Sequence, residues 1–163
     1  KKGDVDVTTS LINQLMTELN QFIAQDSVND QEKQWALRQT TDSQLQSVLK
    51  QVSTTDIKVI AYLGQHGPER AKALPGPLNL SQATISRGLT KLARLGLATK
   101  YRDLSNNKEV LVRLTSLGQA VTDLHTKLDA AIATQAQAIA NDYSDVELKR
   151  FVSLMRRIRE IQI

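Results

Sequence analysis

The chain has 163 residues and a formal net charge of +4, with 40% hydrophobic and only 4% aromatic residues. That is enough to bury one good core, or a small domain with helical extensions. The absence of cysteine excludes disulfides, thiolate metal sites and thiol redox sensing, and no apolar run is long enough to span a bilayer. The opening Lys1-Lys2-Gly3 carries neither methionine nor the hydrophobic core of a secretory signal, which reads as a trimmed start on a cytoplasmic protein.

Residues 1 to 8 read as a loose tail. Ser10 to Gln25 places Leu11, Leu15, Leu19, Phe22 and Ile23 at helical spacing. Residues 26 to 41 are polar and punctuated, with Trp35 and Leu37 as the only sizeable anchors. A second short stripe follows in Leu45, Val48, Leu49 and Val52. Ser53 offers an N-cap with Asp56 three residues on, and Ile57, Val59, Ile60 and Leu63 continue a helix to Gly64 or Gly67. Pro75-Gly76-Pro77 then interrupts, because proline inside a helix loses a hydrogen bond and clashes with the preceding turn at a cost of ~3 kcal/mol. A shortened or restarted element is expected there, with Leu74 and Leu78 packing inward.

Residues 78 to 118 carry most of the functional information. Ser81 is a good N-cap for an amphipathic helix whose Ile85, Leu89 and Leu92, with Gly96 just past the end, gather on one side. The other side carries Ala83, Arg87, Thr90 and Arg94, flanked by Thr84, Ser86 and Lys91, with Gln82 in the first turn. Small and hydroxylated residues allow close approach to base edges, arginine can fork onto guanine, and lysine suits phosphate. Gly96 supplies a left-handed cap. Leu97 to Tyr101 and Glu109 to Leu114 read as two strands, the second with Val110, Val112 and Leu114 on one face. The tip between them contains Ser105-Asn106-Asn107, a turn sequence, and Lys100, Arg102, Lys108 and Arg113 flank it. A helix followed at once by a basic hairpin is how a winged helix-turn-helix meets duplex DNA. Charge agrees: residues 66 to 113 hold nine Lys/Arg against three acids, a net +6 within a chain of +4.

Beyond the hairpin, a Thr115 cap and Leu117, Val121, Leu124, Leu128, Ile132, Ala136 and Ile139 mark a long helix. Ser144-Asp145-Val146-Glu147 is a capping box ahead of a closing helix with Leu148, Phe151, Leu154, Met155, Ile158 and Ile161 on its stripe. The outer helices carry more apolar surface than a 60-residue module can cover. Packing them across a two-fold axis buries it, with Leu11, Leu15, Leu19, Leu148, Phe151, Leu154, Met155 and Ile158 at the seam and alanines 130, 131, 133, 136, 138 and 140 permitting close approach. The alternative is a monomeric helical bundle.

Helix 53–64, the run LNLSQATISRGLTKLARLGL and the hairpin closing on LVRLTSLG together resemble the MarR family of winged-helix transcription regulators. The similarity covers residues 53 to 120 well and the flanking helices only by order and length. It implies a triangular homodimer on double-stranded DNA and, commonly, repression relieved by a small, often aromatic anionic ligand held between the outer helices and the winged part. Carried over by position, Ala83, Thr84, Ser86 and Arg87 fall where the family touches bases, and Arg102, Asn106, Asn107 and Lys108 fall at the wing tip. The family's wing usually has an aspartate followed by arginine, whereas Asn106-Asn107-Lys108 stands here, so that ion pair is missing. The amino-terminal region is also longer and richer in Gln, Asn and Ser, making an extra helix around Asp42 to Val52 plausible. Trp35, Arg38 and Tyr62 could line such a pocket, although their first reading is as ordinary core or surface side chains, and no residue is assigned to it.

The resulting expectation is a mainly α fold with a small β-hairpin wing. Residues 1–52 and 116–163 form the dimerisation region, and 53–115 the winged helix-turn-helix. An enzyme is not expected: His66 and His125 stand far apart, and no nucleophile elbow, phosphate loop, HExxH or dinucleotide fingerprint occurs. No cofactor or membrane partner is expected. The alternatives are a winged-helix protein-interaction module and a metal-responsive regulator using His66 or His125 with acids such as Asp123.

Overall fold

The computed structural model describes residues 2–24, 27–102 and 109–161, and of 2–8, 22–24 and 27–30 the backbone only. Its elements, in chain order, are α1 (Lys2–Ala24), α2 (Ser27–Arg38), α3 (Ser43–Gln51), α4 (Thr54–His66), β1 (Glu69–Arg70), α5 (Pro75–Leu78) and α6 (Gln82–Arg94). The hairpin β2 (Ala98–Arg102) and β3 (Val110–Leu114) follows, then α7 (Ser116–Ala140) and α8 (Asp145–Arg159). This is the mainly helical fold with a small sheet that the residue pattern predicts.

Local chemistry sets most boundaries. Asp42 caps α3 by accepting from the amides of Gln44 and Leu45. Ser53 and Asp56 close a capping box on α4, and Ser144 and Glu147 close another on α8. The Ser144 hydroxyl and amide donate to Glu147 and hold its carboxyl below the usual range. The proline pair does restart the chain: α5 is a single turn with Pro75 in its first position, where no amide hydrogen is needed. The chain leaves α5 through Asn79 in the left-handed region, a conformation asparagine tolerates. Leu74 is fully buried and Leu78 partly so, as expected.

Three expectations need correction. The first eight residues are not a loose tail, because α1 begins at Lys2. No proline interrupts the chain between Lys2 and Ala24, so the helical backbone runs on through residues that carry no apolar stripe. Residues 26 to 41 hold α2, a helix carried by good formers rather than periodicity. It is tied to α3 by Lys33, which donates to the Lys50 carbonyl at 2.7 Å, and by Gln46, which donates to the Leu37 carbonyl at 3.3 Å. The hairpin also gains a third strand. β1 pairs antiparallel with β3 (Glu69 opposite Val112, Arg70 opposite Leu111), giving the order β1-β3-β2.

The core forms where α4, α6, the sheet and the start of α7 meet. Val59, Ile60, Leu63, Leu74, Ile85, Leu89, Leu92, Leu97, Val112 and Val121 are each 2% exposed or less. At ~1.5–3 kcal/mol per buried aliphatic side chain, this cluster supplies the main driving force for the fold. Leu45, Val48, Leu49 and Val52 of the α3 segment extend it. Gly118 is the tightest crossing: a Cβ there would sit inside the shell of the Leu97 carbonyl oxygen, which already accepts from the Thr115 amide. The end of α6 and the start of α7 are thus held backbone to backbone.

Candidate nucleic-acid interface

The α6 stripe is as the spacing predicts. Ile85, Leu89 and Leu92 are buried, while Gln82, Ala83, Ser86, Arg87, Thr90 and Arg94 face outward. The cap is fully formed: the Ser81 hydroxyl accepts from the Thr84 amide at 3.1 Å and shares a 2.8 Å hydrogen bond with the Thr84 hydroxyl. Thr84 is half-buried and its hydroxyl already has this partner. Gly96 takes a φ of 72° just after the helix, which any side chain would strain, so the chain can turn straight into β2. Gly96 itself is exposed, off the buried side where the helical spacing would place it.

The hairpin leans against this helix. Lys100 pairs with Val112 in register, and its ammonium donates to the Thr90 hydroxyl at 3.0 Å, bringing a cation back over α6. On the opposite face Arg113 lies over the Tyr101 ring at 5.3 Å and reaches Thr99 at 3.4 Å. Val112 is buried and Leu114 half-buried, but Val110 is exposed because the strand there runs past its helical support. Arg102 ends β2. Asn106, Asn107 and Lys108 lie outside the described residues.

Not every cation of the basic segment faces outward. Glu109 binds Arg70 at 2.8 Å and also Lys72, pinning the β1 segment to the tip end of β3. Lys91 turns inward: its ammonium is 2.5 Å from Asp56 Oδ2, and Asp56 is only 3% exposed. Burial tends to raise the Asp56 carboxyl, but hydrogen bonds from Lys91 and from Ser53 outweigh it and hold the group below the usual carboxylate range. Among the described residues Arg87 and Arg94 have no ion-pair partner. Asp56 is the residue that sequence reasoning missed. Its cap role was visible three residues away, whereas its tie to α6 spans 35 residues.

Elsewhere, His66 stacks on Tyr62 and bonds its carbonyl, and His125 lies 3.7 Å from Asp129. No group of three His, Cys, Asp or Glu suited to a metal stands together among the described residues. A cavity of about 500 Å³ opens between α2, α3, α4 and α7, lined by apolar residues that include Leu49, Ile57 and Leu124 and by the charged or polar Glu32, Lys33, Lys58 and His125. Trp35, Arg38 and Tyr62 do not line it.

In its fold the chain is a winged helix-turn-helix protein, similar to a solved MarR family regulator. A solved MarR family transcription regulator superposes with a TM-score of 0.63 at 16% identity, covering 94% of this chain and 91% of that one. A Lactococcus lactis ZitR variant in complex with DNA superposes at 0.60 with 19% identity, covering 67% and 74%. In sequence the chain is similar to the HTH-type transcriptional regulator PchR of Bacillus subtilis (strain 168), 30% identical over 104 residues. That match covers 64% of this chain and 62% of the relative, so the chain spans just under two thirds of its length. No protein-family model matches. The proteins it resembles are transcription regulators rather than enzymes.

Proposed function

We propose that the chain is a transcription regulator that reads double-stranded DNA with α6 and the β2–β3 hairpin, acting as a homodimer on a pseudo-palindromic site. The observation that carries this reading is the outward stripe of α6: small Ala83 and Ser86 beside exposed Arg87 and Arg94, which have no ion-pair partner among the described residues, with Lys100 folded over Thr90. Small residues let the helix approach base edges, Arg87 can fork onto guanine, and Arg94 and Lys100 suit phosphate. Residues 53–115 would form the reading unit, and 1–52 and 116–163 the dimerisation region. A fragment library challenged with the purified chain at ~150 mM salt tests this, because only specific binding survives there. Recovery of a shared inverted repeat is expected; recovery of unrelated fragments would favour a protein-interaction module.

Two features support the assembly. Leu11, Ile12 and Met16 on α1, Ile132 and Ile139 on α7, and Phe151 and Leu154 on α8 are all exposed, while Leu15, Leu19, Leu148, Met155 and Ile158 are half-buried. The outer helices also carry opposite charge: α1 has Lys2 against Asp4, Asp6 and Glu18, whereas α8 has five Lys/Arg against two acids. Two-fold pairing would bury the apolar stripe and set two copies of α6 about one DNA turn (~34–36 Å) apart. The cavity is the natural seat for a small effector with an apolar body and an anionic head that Lys58 and His125 could meet. Metal response gains no support from His66 or His125. No helix among the described residues is long and apolar enough to cross a membrane, and we place the regulator in the cytoplasm with its DNA.

A further inference from the structure

Among the cations of α6 Lys91 stands apart, and its role depends on α6 being the reading helix. By its place on the helix Lys91 is expected to meet phosphate, yet its ammonium lies 2.5 Å from Asp56 Oδ2. That single oxygen also accepts from the Ser53 amide at 2.8 Å and the Ser53 hydroxyl at 2.9 Å. The other carboxylate oxygen faces Gly88, where an added Cβ would lie 3.9 Å away in ordinary contact. One buried carboxylate on the capped first turn of α4 therefore holds α6 at Lys91, one turn beyond Arg87, with its second oxygen on the Gly88 side.

We propose that Asp56 and Lys91 form a clamp that sets the pose of α6, making both positioning residues for DNA reading rather than DNA contacts. The apolar contacts of Ile85, Leu89 and Leu92 are non-directional and leave small rotations of α6 about its axis cheap. An ion pair with fixed geometry does not. Bidentate reading of a base edge tolerates displacements of about half an ångström, so a directional restraint one turn from Arg87 acts where accuracy is needed. Lys91 stays with Asp56 when DNA arrives, since leaving would strand a desolvated carboxylate whose other donors come from Ser53 alone. Ser53 also forms part of the cavity wall, so this carboxylate is where the cavity and α6 meet.

The test uses the full chain and a duplex selected by it, comparing Lys91→Met, Asp56→Asn and Arg87→Ala for affinity, salt dependence and binding to random DNA. The clamp predicts that Lys91→Met weakens specific binding about tenfold or more, far beyond its small long-range effect on random DNA, and keeps the log–log salt slope, because no phosphate contact is lost. Asp56→Asn should also weaken specific binding, although removing a negative charge beside a polyanion would by itself strengthen it. A Lys91→Met slope reduced by ~0.9, with random DNA weakened equally, would make Lys91 a phosphate contact and overturn the clamp. So would specific binding that neither substitution weakens. If Asp56→Asn does not fold, Lys91→Met decides alone through its slope. Arg87→Ala separates the two ideas: unchanged specific binding in that variant removes α6 as the reading helix, whereas a clear loss leaves the clamp judged by the other two.

Discussion

Arg87 is the side chain on which reading is expected to depend most. It stands at the middle of the outward stripe, is exposed, and makes no ion pair among the described residues. Arg87→Ala should lose ~1–3 kcal/mol of specific affinity while thermal unfolding stays where it is, because nothing in the fold leans on the guanidinium. Asp56 is the opposite kind of residue, buried and structural. Its carboxyl is held below the ordinary 3.8 in the folded state, so it contributes stability that is complete above that value and disappears as pH falls through the folded value. Urea unfolding of wild type and Asp56→Asn should therefore show a stability gap that is flat from neutral pH downward and closes only below about pH 4. A gap that opens as pH falls would mean that the Lys91 and Ser53 contacts do not govern this group.

At the level of elements, the sequence was most legible where structure is decided within a few residues. Ser53, Ser81, Thr115 and Ser144 each cap the helix that their local pattern announces, and the α6 stripe appears on the expected faces. Elements decided by distant partners were not legible. The two residues of β1 are a strand only because β3 lies beside them, and α2 rests on partners far along the chain, the Lys50 carbonyl for Lys33 and the core for Ala36 and Leu37. Of the basic segment, Arg70, Lys72 and Lys91 carry charge that the count alone assigned to DNA, and only the fold reveals Glu109 and Asp56 as their partners. The join between α6 and α7 makes a further prediction. Gly118→Ala should destabilise by ~1–3 kcal/mol or more, since the Leu97 carbonyl cannot retreat without breaking its bond from Thr115. Chemical denaturation checks it, and a neutral result would mean the two helices can slide apart at little cost.

For the whole molecule, the question is what covers the outer helices. The exposed apolar residues of α8 and of the end of α7 are expensive to leave in water, and in the proposed homodimer a second copy would remove that cost while spacing the two reading heads. Replacing Leu154 and Ile158 together by Glu should yield monomers or insoluble chains in sedimentation runs, and a well-folded dimer of that variant would refute the seam. The same geometry fixes what DNA should look like under the protein. Footprinting of a selected duplex at ~150 mM salt should show two protected half-sites 10–10.5 base pairs apart, about one helical turn, which Arg87→Ala abolishes. Uniform protection without half-sites, or a footprint that Arg87→Ala leaves intact, would contradict the assignment of α6 and its symmetry mate as the DNA-reading pair.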